Sequence, residues 1–174
     1  AKQMNQTNWT GTNTMIRAIY TRLNLNIKYC NHYLTYASGE TEEDQNRLAE
    51  VRFIRALHYF YLMDMYLYAP LVTTESSEFP HFYPRHEIYD WLVKELQDVI
   101  TLLPAQRVEK YRVGKAAAQL LLARVYLNAD VYNKYNKNWQ FGKTWKTAYD
   151  AATAVITENP QHSLVTQKIV TDSG

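Results

Sequence analysis

The sequence predicts an all-α protein of antiparallel helix pairs packed around one central buried helix. Three observations predict it. From Ile54 to Tyr68 only Arg55, His58 and Asp64 are neither apolar nor aromatic, and no glycine or proline interrupts the stretch Arg47–Leu71 before Pro70. A helix apolar on nearly every side is covered by neighbours on several sides. Five glycines and five prolines in 174 residues are few for an all-β chain, which needs many turns. Finally, Val99-Ile100-Thr101-x-x-Pro104 returns 56 residues later as Val155-Ile156-Thr157-x-x-Pro160, and Ala49, Ala56 and Tyr59 return 67 residues later as Ala116, Ala123 and Tyr126. The second spacing is close to twice the roughly 34-residue tetratricopeptide period. The expected fold is therefore tetratricopeptide-like, a single helical repeat domain over residues 1–174.

Residues 1–11 are mostly polar and rich in Asn, Gln and Thr, with Trp9 the one aromatic residue. Ile16, Ile19, Leu23, Ile27, Cys30 and Leu34 then recur at steps of three and four, one face of a first helix expected over Thr12–Tyr36 and ending before Ser38-Gly39. Thr41-Glu42-Glu43-Asp44 supplies a cap and first-turn acids for the central helix, with Glu43 and Arg47 one turn apart to pair. An aperiodic loop with two prolines follows Pro70. A third helix begins near Pro84, carries Ile88, Trp91, Leu92, Leu96, Val99, Ile100 and Leu103 on one face, and stops at Pro104. The fourth runs from Gly114 to about Asn128, its alanines letting a neighbouring backbone come close. Residues 130–143 read as a loop. A fifth helix spans Thr144–Thr157 and ends at Asn159-Pro160; the tail has no pattern. Ile54, Leu57, Phe60, Tyr61, Leu92, Leu96, Leu121 and Leu122 are the expected core.

Composition narrows function. The net charge of +2 suggests neither a nucleic-acid binder nor an acidic tail. One cysteine, Cys30, allows no internal disulfide, and its place on an apolar face predicts a buried thiol. No signal peptide, lipid-attachment cysteine or membrane-spanning run is present in this sequence. His86-Glu87-Ile88-Tyr89-Asp90 approaches a helical zinc motif, but the second histidine is missing and an ordinary acidic first turn explains Glu87. No nucleophile elbow, phosphate-binding loop or Cys/His cluster occurs, so no catalysis, metal or cofactor is expected. The stretch marked for ligand contact is 130–146, where Tyr132, Tyr135, Trp139 and Phe141 interleave with Asn133, Asn136, Asn138, Lys134 and Lys137. Aromatic faces stack on sugar rings, and asparagine offers donor and acceptor to hydroxyls. The same composition could stack single-stranded bases, or the aromatics could simply fold back over the repeat ends.

Ala49-Glu50-Val51-Arg52-Phe53-Ile54-Arg55-Ala56-x-x-Tyr59-Phe60-x-Leu62, then Tyr66 and Ala69-Pro70-Leu71-Val72, resembles the signature helix of SusD/RagB-type nutrient-binding lipoproteins. Arg85-x-Glu87-Ile88-Tyr89, Glu95-Leu96-x-x-Val99-Ile100-x-x-Leu103-Pro104, Tyr111-Arg112-Val113-x-Lys115-x-Ala117 and Leu121-Leu122-Ala123-Arg124-Val125-Tyr126-Leu127 are similar to the next two helices of that family, in the same order. Leu67 stands where the family usually has a helix-ending glycine, so a different C-cap is needed. The resemblance implies a non-catalytic protein on the outer face of the outer membrane of Bacteroidetes. Its implied partners are a SusC-type TonB-dependent transporter and an oligosaccharide or peptide nutrient, with no nucleic acid, and with the membrane reached only through a lipid anchor absent from this chain. The chain itself is expected to be the helical-repeat portion of a longer protein. The other reading is a generic helical scaffold that binds a peptide or partner protein.

One expectation combines geometry with this resemblance. Arg55 and Asp64 lie nine residues apart and so nearly opposite on the central helix. At least one should be buried and need a partner from another helix. The resemblance sets the second and third helices side by side, which nominates Glu95 or Asp98 for Arg55, in a structural and not a catalytic pair.

Overall fold

The computed structural model describes residues 10–105, 109 and 111–159. Residues 1–9 with Trp9, residues 106–108 and 110 of the connection between the third and fourth helices, and the tail from Pro160 lie outside these residues. Helix α1 spans Thr14–Tyr36, opened by the Asn13 side chain, which accepts the backbone N–H groups of Met15 and Ile16. Its inward face is Leu23, Ile27, Cys30 and Asn31, while Ile19 lies on the rim at 39% exposure. Helix α2 spans Glu42–Met65 and starts with a reciprocal capping box: the Asp44 N–H donates to Thr41 Oγ1 and the Thr41 N–H to Asp44 Oδ2. Glu43 and Arg47 pair on its exposed first turns.

The long apolar stretch does not stay helical to Leu71. Tyr66 turns to extended backbone, its N–H still donating to Leu62 O, so the helix ends without a left-handed residue and Leu67 needs no replacement by glycine. The chain then forms strand β1, Tyr68–Pro70, paired antiparallel with β2, Phe82–Pro84, in the register Ala69 opposite Tyr83. Two prolines limit the pairing. Helix α3, Arg85–Leu102, follows directly, and its Leu103 is extended, as the residue before a proline prefers. Helix α4 spans Lys115–Leu127, α5 is the short turn Ala129–Tyr132 inside the expected loop, and α6 spans Trp145–Thr157.

The helices pack as an array in which α1 touches α2, α2 touches α3, α3 touches α4 and α4 touches α6. Cross-contacts show that neighbours run antiparallel. Asn31 meets Arg55 while Tyr66 Oη donates to Ile16 O; Glu95 meets Arg55 while Trp91 meets Tyr59. At the other end Gln119 meets Glu158, and Leu127 and Trp145 line one groove. Ala118 and Ala123 are buried on α4, as a close helix crossing requires.

The core contains Phe60, Leu92, Leu96, Leu121 and Leu122, with Leu57 packed at its edge. Ile54 and Tyr61 do not belong to it: they are 38% and 42% exposed, on a stripe about three turns long that also holds His58 and Met65. The reason is geometric. Helix α2 is clasped by α1 and α3, and its third side stays open. The positions that face inward are Phe53, Arg55, Ala56, Tyr59, Phe60, Leu62 and Met63.

Candidate functional site

Two polar assemblies punctuate the helical core. The first gathers on α2. Arg55 is only 6% exposed. Its Nη1 donates to Asn31 Oδ1 at 2.9 Å and to the Thr73 carbonyl at 2.7 Å, and its Nη2 donates to Glu95 Oε1 at 2.9 Å. Arg52, one turn earlier, forks onto the same carboxylate through Nε at 3.0 Å and Nη2 at 2.7 Å. Asp98 stands 3.6 Å from Arg52, at the exposed edge, and makes no pair with Arg55. Burial alone would push the Glu95 carboxyl up; the hydrogen bonds and charges of Arg52 and Arg55 outweigh it and hold the group below the usual carboxylate range. Asp64, on the opposite side of α2, reaches the surface and accepts a hydrogen bond from Tyr132 Oη at 2.9 Å.

The same face of α2 grips the loop after β1. Tyr59 is fully buried, and its hydroxyl both accepts from the Val72 N–H at 2.7 Å and donates to the Val72 carbonyl at 2.8 Å. Burial pushes its phenol up to about 12, so it stays a neutral donor and acceptor. Asn31 Nδ2 adds a second donor to Val72 O at 2.8 Å. The loop backbone is therefore tied to α1 and α2 by side chains.

The second assembly is the stretch 130–143, which folds back over the end of α3 and α4. Tyr132 is 2% exposed and lies against Tyr89, so it offers no face to a ligand. Trp139 is half-buried, edge-on to Tyr89 at 5.6 Å, with Nε1 donating to Asp130 Oδ1 at 2.8 Å. Asp130 also accepts the Gly142 N–H, and Gly142 sits at φ 75°, the left-handed region that favours glycine. The asparagines largely serve the loop itself. Asn133 Nδ2 donates to Ala129 O, Asn136 Nδ2 to Asn133 Oδ1, and Asn136 Oδ1 accepts the Asn138 N–H. Tyr135, Phe141 and Asn138 remain open to solvent. Sequence reasoning missed Asp130 as the anchor of this loop and Arg52 as a partner of Glu95; the second was legible as two arginines three apart opposite two acids three apart.

His86 and Glu87 lie in the first turn of α3, and among the described residues no three His, Cys, Asp or Glu side chains are placed to hold a metal. Cys30 is buried, which raises its thiol above the ordinary value. No described helix is long and apolar enough to cross a membrane.

Comparison with known proteins gives this architecture a family. Over 97% of its length the chain is 29% identical to the starch-binding protein SusD of Bacteroides thetaiotaomicron, and over 80% it is 26% identical to SusD-like protein P2 of Formosa agariphila. It spans about a third of the length of each, 32% and 29%. Among solved structures, a SusD-like carbohydrate-binding protein of Bacteroides fragilis superposes with a TM-score of 0.70 at 26% identity, covering 85% of this chain and 29% of that one. The SusD-like family model described as starch-binding and associating with the outer membrane matches residues 1–127, through α4 of the array, and the chain belongs to the SusD-like family.

Proposed function

We propose that this chain is the helical scaffold of a non-catalytic surface protein that captures oligosaccharides. The captured glycan is handed to a SusC-type TonB-dependent transporter at the outer face of the outer membrane, where a lipid anchor outside this chain holds the protein. The observation that carries the reading is the family match across the helical array, together with relatives named for starch and carbohydrate binding. Carbohydrate is preferred to peptide because two of the three relatives named above are described as starch-binding or carbohydrate-binding. Within the stretch 130–143, the groups open to a ligand or partner include Tyr135, Asn138 and Phe141, with Trp139 half-buried beside them.

Two measurements test this. Electrophoresis of the chain through gels carrying soluble polysaccharides should show retardation by at least one neutral glycan, with no release of shorter sugars. Affinity purification from outer membranes of cells expressing the protein that contains this chain should recover a TonB-dependent transporter. Glycan turnover that tracks the protein, or a partner that is not a transporter, refutes the proposal.

A further inference from the structure

Between α1 and the loop Leu71–His81 lies a cavity of about 260 Å³. One wall is a single face of α1: Asn24, Ile27 and Lys28, at helical spacing. The opposite wall is Val72 and Pro80, and the rim carries Glu75 and Glu78. This wall is built in advance. Val72 is held by Tyr59 and Asn31, the Thr73 carbonyl by Arg55, and Glu75 by His32 across a 3.2 Å contact. A wall that is already ordered costs a ligand little conformational entropy. Phe79, between the rim residue Glu78 and the wall residue Pro80, is fully exposed at 102%.

We infer that this cavity is a subsite for one residue of a neutral glycan, with Phe79 as the platform on which the adjoining residue stacks. The inference rests on the proposed glycan-capture function. Ile27 on one wall and Val72 with Pro80 on the other give apolar surface for the C–H groups of a sugar ring. Asn24 offers a donor and an acceptor, Lys28 a donor, and the two carboxylates accept hydroxyl protons in charge-assisted bonds. The volume falls just below the roughly 300–1,000 Å³ of ordinary small-molecule pockets, so the cavity takes a single ring or chain end. Two carboxylates against one lysine repel uronates and sulfated sugars.

The test is titration calorimetry of the chain with neutral gluco-oligosaccharides of α and β linkage, and with an oligogalacturonate of equal length. Asn24→Trp and Ser76→Trp fill the cavity from its two sides, and Phe79→Ala removes the platform. Far-UV circular dichroism and thermal melts identify which filling variant keeps the parent fold. The expected result is binding of a neutral oligosaccharide that a folded filling variant weakens by about tenfold or more, about 1.4 kcal/mol. Phe79→Ala should weaken longer oligomers more than short ones. A folded filling variant with parental affinity overturns the subsite, and if Tyr135→Ala abolishes that binding the capture function stands without it. Tighter binding of the oligogalacturonate overturns the neutral class. A parent chain that binds none of these sugars overturns the capture reading and the subsite with it.

Discussion

Glu95→Gln isolates the charge of the buried network while keeping its shape. In the parent, one carboxylate serves two guanidinium groups, and Arg55 and Glu95 are each under a tenth exposed. After the substitution Arg52 retains Asp98 at 3.6 Å and is a quarter exposed, so water and that carboxylate compensate it. Arg55 then has only neutral acceptors, Asn31 Oδ1, Thr73 O and the substituted amide oxygen, and no counter-charge. A buried charge left without its counter-charge costs about 3–5 kcal/mol. At about 2–4 °C per kcal/mol for a chain of this size, the melting temperature should fall by roughly 6–20 °C. Arg55→Ala should cost less, about 3 kcal/mol, because Glu95 still holds the fork of Arg52. Acid adds a second reading. The Glu95 carboxyl is held below its usual value in the fold, so its contribution is present above the unfolded pKa and is lost as pH falls through the folded one. Urea unfolding at neutral pH and along an acid series measures both. Glu95→Gln within about 1 kcal/mol of the parent, with an unchanged acid limb, would refute the account of the network.

Tyr59→Phe leaves the Val72 N–H without a partner, should cost about 1–3 kcal/mol, and should abolish amide-exchange protection at Val72 before that of the helices. Gly142→Ala forces a side chain into left-handed backbone and should cost about 1–2 kcal/mol by thermal melt, without moving the protection of α2. Cys30 should react with a disulfide reagent only as fast as the fold opens, because its thiol is buried and its pKa raised; prompt labelling of native protein would contradict that. Ile54→Lys and Tyr61→Lys should each stay within about 0.5 kcal/mol of the parent, whereas Ala56→Lys, at a fully buried position, should unfold the chain.

The helices were legible because their apolar periods, caps and prolines all act locally. Thr41 and Asp44 are three residues apart and form their box without tertiary help. Ile54 and Tyr61 were misread because an apolar residue in an apolar run carries no sign of which side of α2 stays open; that depends on α1 and α3 both lying to one side. The hairpin of Tyr68–Pro70 with Phe82–Pro84 was illegible for a similar reason, since three-residue strands with prolines have no period to show. In the stretch 130–143 the composition was read correctly as aromatic and amide-rich, yet composition cannot say which rings turn inward. The contact that decides it, Asp130 with Trp139 and Gly142, spans up to 12 residues of irregular chain.

The polar residues of the most apolar helix have a common explanation in the loop beside it. Backbone groups of a loop packed against helices are shielded from part of the solvent and need partners from side chains. Val72 and Thr73 have no strand partner, because β1 ends at Pro70. Tyr59 and Arg55, one turn apart on α2, supply the missing donors and acceptor. An arginine does this where a lysine could not: its planar fork reaches Thr73 O, Asn31 on α1 and Glu95 on α3 at once. A buried ion pair is weak evidence for added stability, and an apolar triad could pack as well. What an apolar triad could not do is hold the Val72–Glu75 backbone in one place against α1, and that placement is what shapes the cavity between them.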